Sequence, residues 1–152
     1  MDAGILTGGA FELLKRRAQG IRVLADPRTP EGMKAEYGFD SWANTCLFST
    51  LTWLDRNREQ ALRLTRAMNR TSAWIRSHSA TEMLQRLPPN LRTGNKEADL
   101  SILRYHKEAT SADGRMPSGS PENALKLLAV SNQRVKSVDL AVTWTNEFVD
   151  RK

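Results

Sequence analysis

One cysteine, two histidines and no long apolar run are what this chain of 152 residues is short of. A lone Cys46 excludes an internal disulfide and a cluster of thiolate metal ligands. Set in the apolar run Cys46-Leu47-Phe48, it reads as a buried structural thiol rather than a nucleophile, because no base partner is recognisable. His78 and His106 stand in no metal-ligand spacing, so each reads as a packed or surface histidine and no metal is expected. No apolar stretch approaches the length that crosses a bilayer. No basic segment followed by an apolar one opens the chain, so no export signal is expected, and the chain as it stands would remain in the cytoplasm. Glycine-rich phosphate chemistry is also missing. Thr7-Gly8-Gly9 is followed by no Gly-Lys-Ser/Thr, which excludes a P-loop, and it lacks the third glycine of a dinucleotide fingerprint. Glu31, Glu36 and Asp40 gather near Tyr37 without forming a convincing acid–base pair. No catalytic residue is assigned, no cofactor is expected, and binding is favoured over catalysis.

What is present is ordinary for a folded domain with a real core: 39% hydrophobic and 26% charged residues. The formal charge is +6. Lys and Arg are spread along solvent faces rather than gathered in a block, so no nucleic-acid partner is expected.

The chain opens on a pattern that organises the rest. Ala3 to Thr7 is a short apolar run, Gly8-Gly9 breaks it, and Ala10 to Arg17 has helical character. Ile21 to Ala25 is a second apolar run, closed by Asp26-Pro27. Strand, turn, helix, strand is the order of a βαβ unit. Thr29-Pro30-Glu31 is a helix start, with Thr as cap and Pro in the first turn, and Gly38 ends that helix. Bulky and β-branched residues from Ser41 to Thr50 favour a strand. Asn57 to Ser77 is the clearest helix, capped by Asn57, with Ala61, Leu64, Met68, Ser72 and Ile75 expected inward. Arg63, Arg66 and Arg70 share its solvated face, and Glu59 with Arg63 is a favourable i,i+4 pair. Further helices are expected over 80–87 and 96–109, the latter capped by Thr93 with Ala98, Ile102, Tyr105 and Ala109 inward. Ser120-Pro121-Glu122 reads as the capped start of another, to about Asn132. The apolar tail from Val138 to Val149 is expected to dock on a body.

Three stretches carry a resemblance. Asp2-Ala3-Gly4-Ile5-Leu6, a helix, and Arg22-Val23-Leu24-Ala25-Asp26 form the first. Leu54-Asp55-Arg56-Asn57-Arg58-Glu59, leading to Ala67 and Trp74-Ile75, is the second. The most specific is Val138-Asp139-Leu140 with Thr143-Trp144-Thr145-Asn146-Glu147-Phe148-Val149. Together they resemble the later part of the substrate-binding proteins of ABC importers, in the branch for nitrate, sulfonates, taurine and thiamine precursors. The resemblance implies a helix-rich α/β chain, part of a type II periplasmic-binding fold, without its N-terminal half. Residues 1–26 would be a remnant of the second lobe, and residues 27–152 the crossing segment with the C-terminal part of the first lobe.

The same resemblance implies a periplasmic solute-binding component that delivers a small anion to membrane permease subunits. Carried over by position, Thr7, Gly8 and Gly9 would line one wall of the solute cleft, offering the free N–H groups of a helix start. Tyr37 and Trp42 would stand near the crossing. The missing half, or a second copy, would be a further partner. The alternative is a stand-alone helical interaction module with no transport role.

Overall fold

The computed structural model describes residues 4–6, 8–43 and 45–150. The structure is 63% helical, with no strand or sheet among the described residues. The helices are α1 (Gly8–Arg17), α2 (Pro30–Tyr37), α3 (Leu51–Arg56), α4 (Arg58–Ser77), α5 (Ala80–Arg86), α6 (Lys96–Ala109), α7 (Ser120–Ser131) and α8 (Glu147–Asp150). Short 3-10 turns cover Pro89–Leu91, Gln133–Ser137 and Leu140–Val142.

The α/β expectation is therefore wrong, and with it the partial type II periplasmic-binding fold, which needs a sheet. The physical reason lies in pairing. A strand's N–H and C=O groups require a neighbouring strand, and the apolar runs find none. Ile21, Val23 and Leu24 lie in irregular backbone with exposed side chains, as do Ile5 and Leu6. Ser41 to Thr50 is likewise irregular where described, and Phe48 is 94% exposed. Cys46 is exposed rather than buried. Asp2, Ala3 and Thr7 of the expected first strand fall outside the described residues.

The chain divides into two compact units, one from Met1–Val23 with Thr71–Ala112, the other from Leu24–Arg70 with Asp113–Lys152. In the first, α5 and α1 both pack on α6. Its core is small: Ala80, Met83, Leu84 and Ala98 are buried, Ala98 completely. Asp99 is buried beside them, and its Oδ1 accepts a 2.8 Å bond from the Thr93 N–H, which fixes the loop entering α6. Asn95, not Thr93, caps α6 by accepting from the Ala98 N–H. At the end of α4 the His78 ring stacks on Trp74, with centroids 4.1 Å apart, and the Arg86 guanidinium lies over the same indole at 5.0 Å. Lys107 Nζ donates to the His78 carbonyl at 2.7 Å, placing a cation at a helix C-terminus, where the macrodipole favours it.

Helix α5 opens with a reciprocal cap. Ser79 Oγ accepts from the Glu82 N–H, while the Glu82 carboxylate accepts from the Ser79 N–H at 2.8 Å. The Ser79 backbone bond, then its hydroxyl, hold the Glu82 pKa below its ordinary value of 4.5, helped by the charges of His78 and Lys107. A carboxylate depressed in the folded state contributes stability above its unfolded pKa and loses it as pH falls through the folded one. Ser79→Ala therefore lowers the melting temperature by about 5 °C at neutral pH. The deficit against wild type narrows below pH 4.5. Thermal melts by circular dichroism from pH 3 to pH 7 check both (about that span covers the transition).

In the second unit, α2 is built as its sequence dictates. Thr29 Oγ1 accepts from the Gly32 N–H, Pro30 occupies the first turn, and Gly38 closes the helix at φ 80°, its N–H donating to the Lys34 carbonyl. Met33 is its buried anchor. Before it, Arg28 grips the Asp26 carboxylate with two bonds of 2.6 and 2.5 Å. Asn57 does not cap α4 through its side chain. Its Nδ2 donates to the Trp53 carbonyl, tying down α3, while its carbonyl accepts from the Ala61 N–H. Ala61 is buried on α4, but Leu64 and Met68, expected inward, are about half exposed (49% and 46%). Leu62, Thr65 and Asn69 are shielded instead. Gly119, at φ 80°, caps α7, and Ser120 becomes the first helical residue, almost fully buried. Ala43 and Asn123 join the 41–43 segment to this helix start, through Ala43 N–H to the Ser120 carbonyl and Asn123 Nδ2 to the Ser41 carbonyl.

Candidate functional site

The described residues include four of the five that the resemblance carries to a solute wall. Thr7 lies outside them. Gly8 and Gly9 are not a turn before the helix: α1 begins at Gly8, so both are in its first turn. Tyr37 ends α2, 46% exposed, with its ring stacked 6.1 Å from Phe39. Trp42 is half-buried in the irregular segment after it. Gly8 and Gly9 belong to the first unit, Tyr37 and Trp42 to the second. Among the described residues no group of His, Cys, Asp and Glu is placed to hold a metal ion, and no helix is long and apolar enough to cross a membrane.

A concave surface does occur in the second unit, where the tail returns to the start of the long helix. The returning tail is held by a clamp. Asn146 presents its Oδ1 to the Met116 N–H at 2.8 Å and donates from Nδ2 to the Met116 carbonyl at 3.2 Å, copying the pairing of one backbone with another. Arg115 and Asp150 form an ion pair beside it. From there α8 reaches the first turn of α4. Arg58 is paired with Glu147 at 2.5 Å, and its guanidinium lies 5.3 Å from the centre of the Phe148 ring. The two side chains of that ion pair are 89 positions apart in sequence.

The result is a cleft of about 290 Å³ lined by Arg58, Glu59, Leu62, Arg63, Arg66 and Phe148. Arg63 is paired with Glu59 at 2.6 Å, both side chains 74% exposed. Arg66 makes no ion pair among the described residues. One wall is thus cationic and one is apolar, an arrangement that suits an anion with an apolar arm. Sequence reading placed Arg63 and Arg66 on a solvated face, which is where they are, and missed the cleft. Its other side comes from Phe148, and no local signal announces a contact across that sequence distance.

The clamp makes a direct prediction. Asn146→Leu keeps the volume and removes both bonds, leaving the part-buried Met116 N–H and carbonyl without their partner. The expected cost is about 1–3 kcal/mol, read by urea unfolding. Amide exchange over 145–150 should rise, because the tail has lost its anchor.

Comparison of the chain with family models, with curated proteins and with solved structures returned no match.

Proposed function

We propose that this chain is a solute-binding component of an ABC importer for small organic or inorganic anions such as sulfonates or nitrate, a reading that rests on the sequence resemblance and not on the fold, which has no sheet among the described residues. The observation that most supports this reading is the docking of the tail. Two of the stretches that carry the resemblance, Leu54–Glu59 and Thr143–Val149, are distant in sequence. Yet they meet through the Arg58–Glu147 ion pair and the stacking of Arg58 on Phe148. In this role the chain works outside the inner membrane and hands the solute to permease subunits.

The test is a thermal-shift screen against nitrate, taurine, short alkanesulfonates and pyrimidines, run on this chain and on the full product of its gene. A solute at about a hundred times its Kd adds about 2.7 kcal/mol to stability. A shift confined to one anion class supports the reading. No shift in either protein with any of them contradicts it.

A second reading, a stand-alone helical interaction module, draws on the exposed apolar segment of the second unit, where Leu47, Phe48 and Leu51 are 52%, 94% and 67% exposed. Solvent-facing apolar residues in such a run mark association surfaces. It predicts concentration-dependent self-association in sedimentation velocity, and a strictly monomeric chain at all concentrations contradicts it.

A further inference from the structure

The cleft between α4 and α8 carries an inference that stands apart from the importer reading, since it rests only on residues of the second unit. Arg63 and Arg66 are three residues apart on one helix and so occupy neighbouring surface positions, where like charges repel. Only Arg63 has a carboxylate partner among the described residues, Glu59, and that pair is exposed and therefore weakly held. Arg66 has none. Arg58 is committed to Glu147 and stacked on Phe148, which holds the ring in place beside the cationic wall. Leu62 and Phe148 supply apolar surface on the same cleft.

The geometry points to a binding site for a phosphate monoester with an aromatic group, its phosphoryl oxygens on Arg66 and Arg63 and its ring against Leu62 and Phe148. A guanidinium fork matches phosphoryl oxygens in pairs. The charge count selects a dianion over a monoanion: the ligand must draw Arg63 from the single negative charge of Glu59, and two charges shared by two guanidiniums do so. The apolar wall selects a ring over bare phosphate, because burying the ring removes apolar surface from water.

Phenyl phosphate is the probe, titrated at pH 8 and constant ionic strength and followed by phosphorus NMR shifts. At about pH 8 the monoester is fully dianionic. Wild type should show saturable binding, about tenfold tighter than to inorganic phosphate. Arg66→Gln should weaken it about tenfold, while Lys126→Gln, which removes the same charge from an exposed position on α7, should change it less than about twofold. Arg66 makes no ion pair among the described residues, so its variant should melt with wild type. Phe148→Leu should abolish the preference for phenyl phosphate over phosphate. Three results would each overturn the assignment: no saturable binding, equal loss in Arg66→Gln and Lys126→Gln, or no preference for the aryl ester in wild type.

Discussion

Ala98→Asp unfolds the first unit under conditions where the wild type is folded. Ala98 is completely buried on α6, the helix on which both α1 and α5 pack. On an exposed helix the same substitution would help, since a carboxylate in the first turn gains about 0.3–1 kcal/mol from the macrodipole. Burial reverses the sign. A carboxylate with no partner in an apolar interior costs several kcal/mol, about 3–5 by analogy with broken buried pairs. It would also lie next to Asp99, whose carboxylate is already buried and committed to the Thr93 N–H. The loss is thus several times the gain, in a unit whose buried apolar side chains are chiefly Ala80, Met83, Leu84 and Ala98. Urea unfolding followed by circular dichroism should show the helical signal of this unit lost at low denaturant. Ala98→Leu, which adds volume without charge, should cost about 1–3 kcal/mol. An unchanged midpoint for the aspartate variant would mean that Ala98 is not enclosed.

Gly32→Ala gives the second large effect, and here propensity and packing have opposite signs. Alanine is the better helix former by about 1 kcal/mol, so α2 considered alone would be stabilised. A methyl at this position, however, would collide with the backbone carbonyl of Asp26. That carbonyl cannot swing away cheaply, because the Asp26 side chain is forked to Arg28 by two short bonds. Relief requires lifting α2 off the loop, which pulls Met33, its buried anchor, from the core. The expected net loss is about 2–3 kcal/mol, measured by the same unfolding experiment. A stabilised variant would show that the loop yields and that propensity decides.

Local signals in the sequence proved readable where a short-range rule governs. Thr29, Pro30 and Gly38 bound α2 because capping needs only neighbours. Helix α5 ends at Arg86, just before Pro88-Pro89, where proline cannot continue a helix. The Glu59–Arg63 pair follows from helical spacing alone. What was not legible depends on partners. Ile21 to Ala25 has strand composition, but a strand is made by its neighbour, and the described residues supply none. Of the expected apolar stripe Ala61 is buried, yet Leu64 and Met68 are about half exposed and Leu62 and Thr65 are shielded instead, since the stripe is chosen by what packs against it. Cys46 looked buried because its neighbours are apolar, and those neighbours are themselves exposed. Of the candidate solute wall, the residue types were visible and their arrangement was not. A glycine pair reads equally as a turn or as the first turn of a helix, and α1 takes both glycines. Phe148 lies 90 positions from Arg58, so only the path of the tail brings the two together.

As proposed above, this chain captures a small anion for import. Equilibrium dialysis of the full gene product against labelled taurine, methanesulfonate and nitrate tests it most directly, because it counts bound solute rather than inferring it from stability. One solute should bind saturably at a ratio near one per chain, with affinity sufficient for capture from dilute solution, about micromolar or tighter. Zero bound solute for every anion at millimolar concentration would contradict a role in anion import.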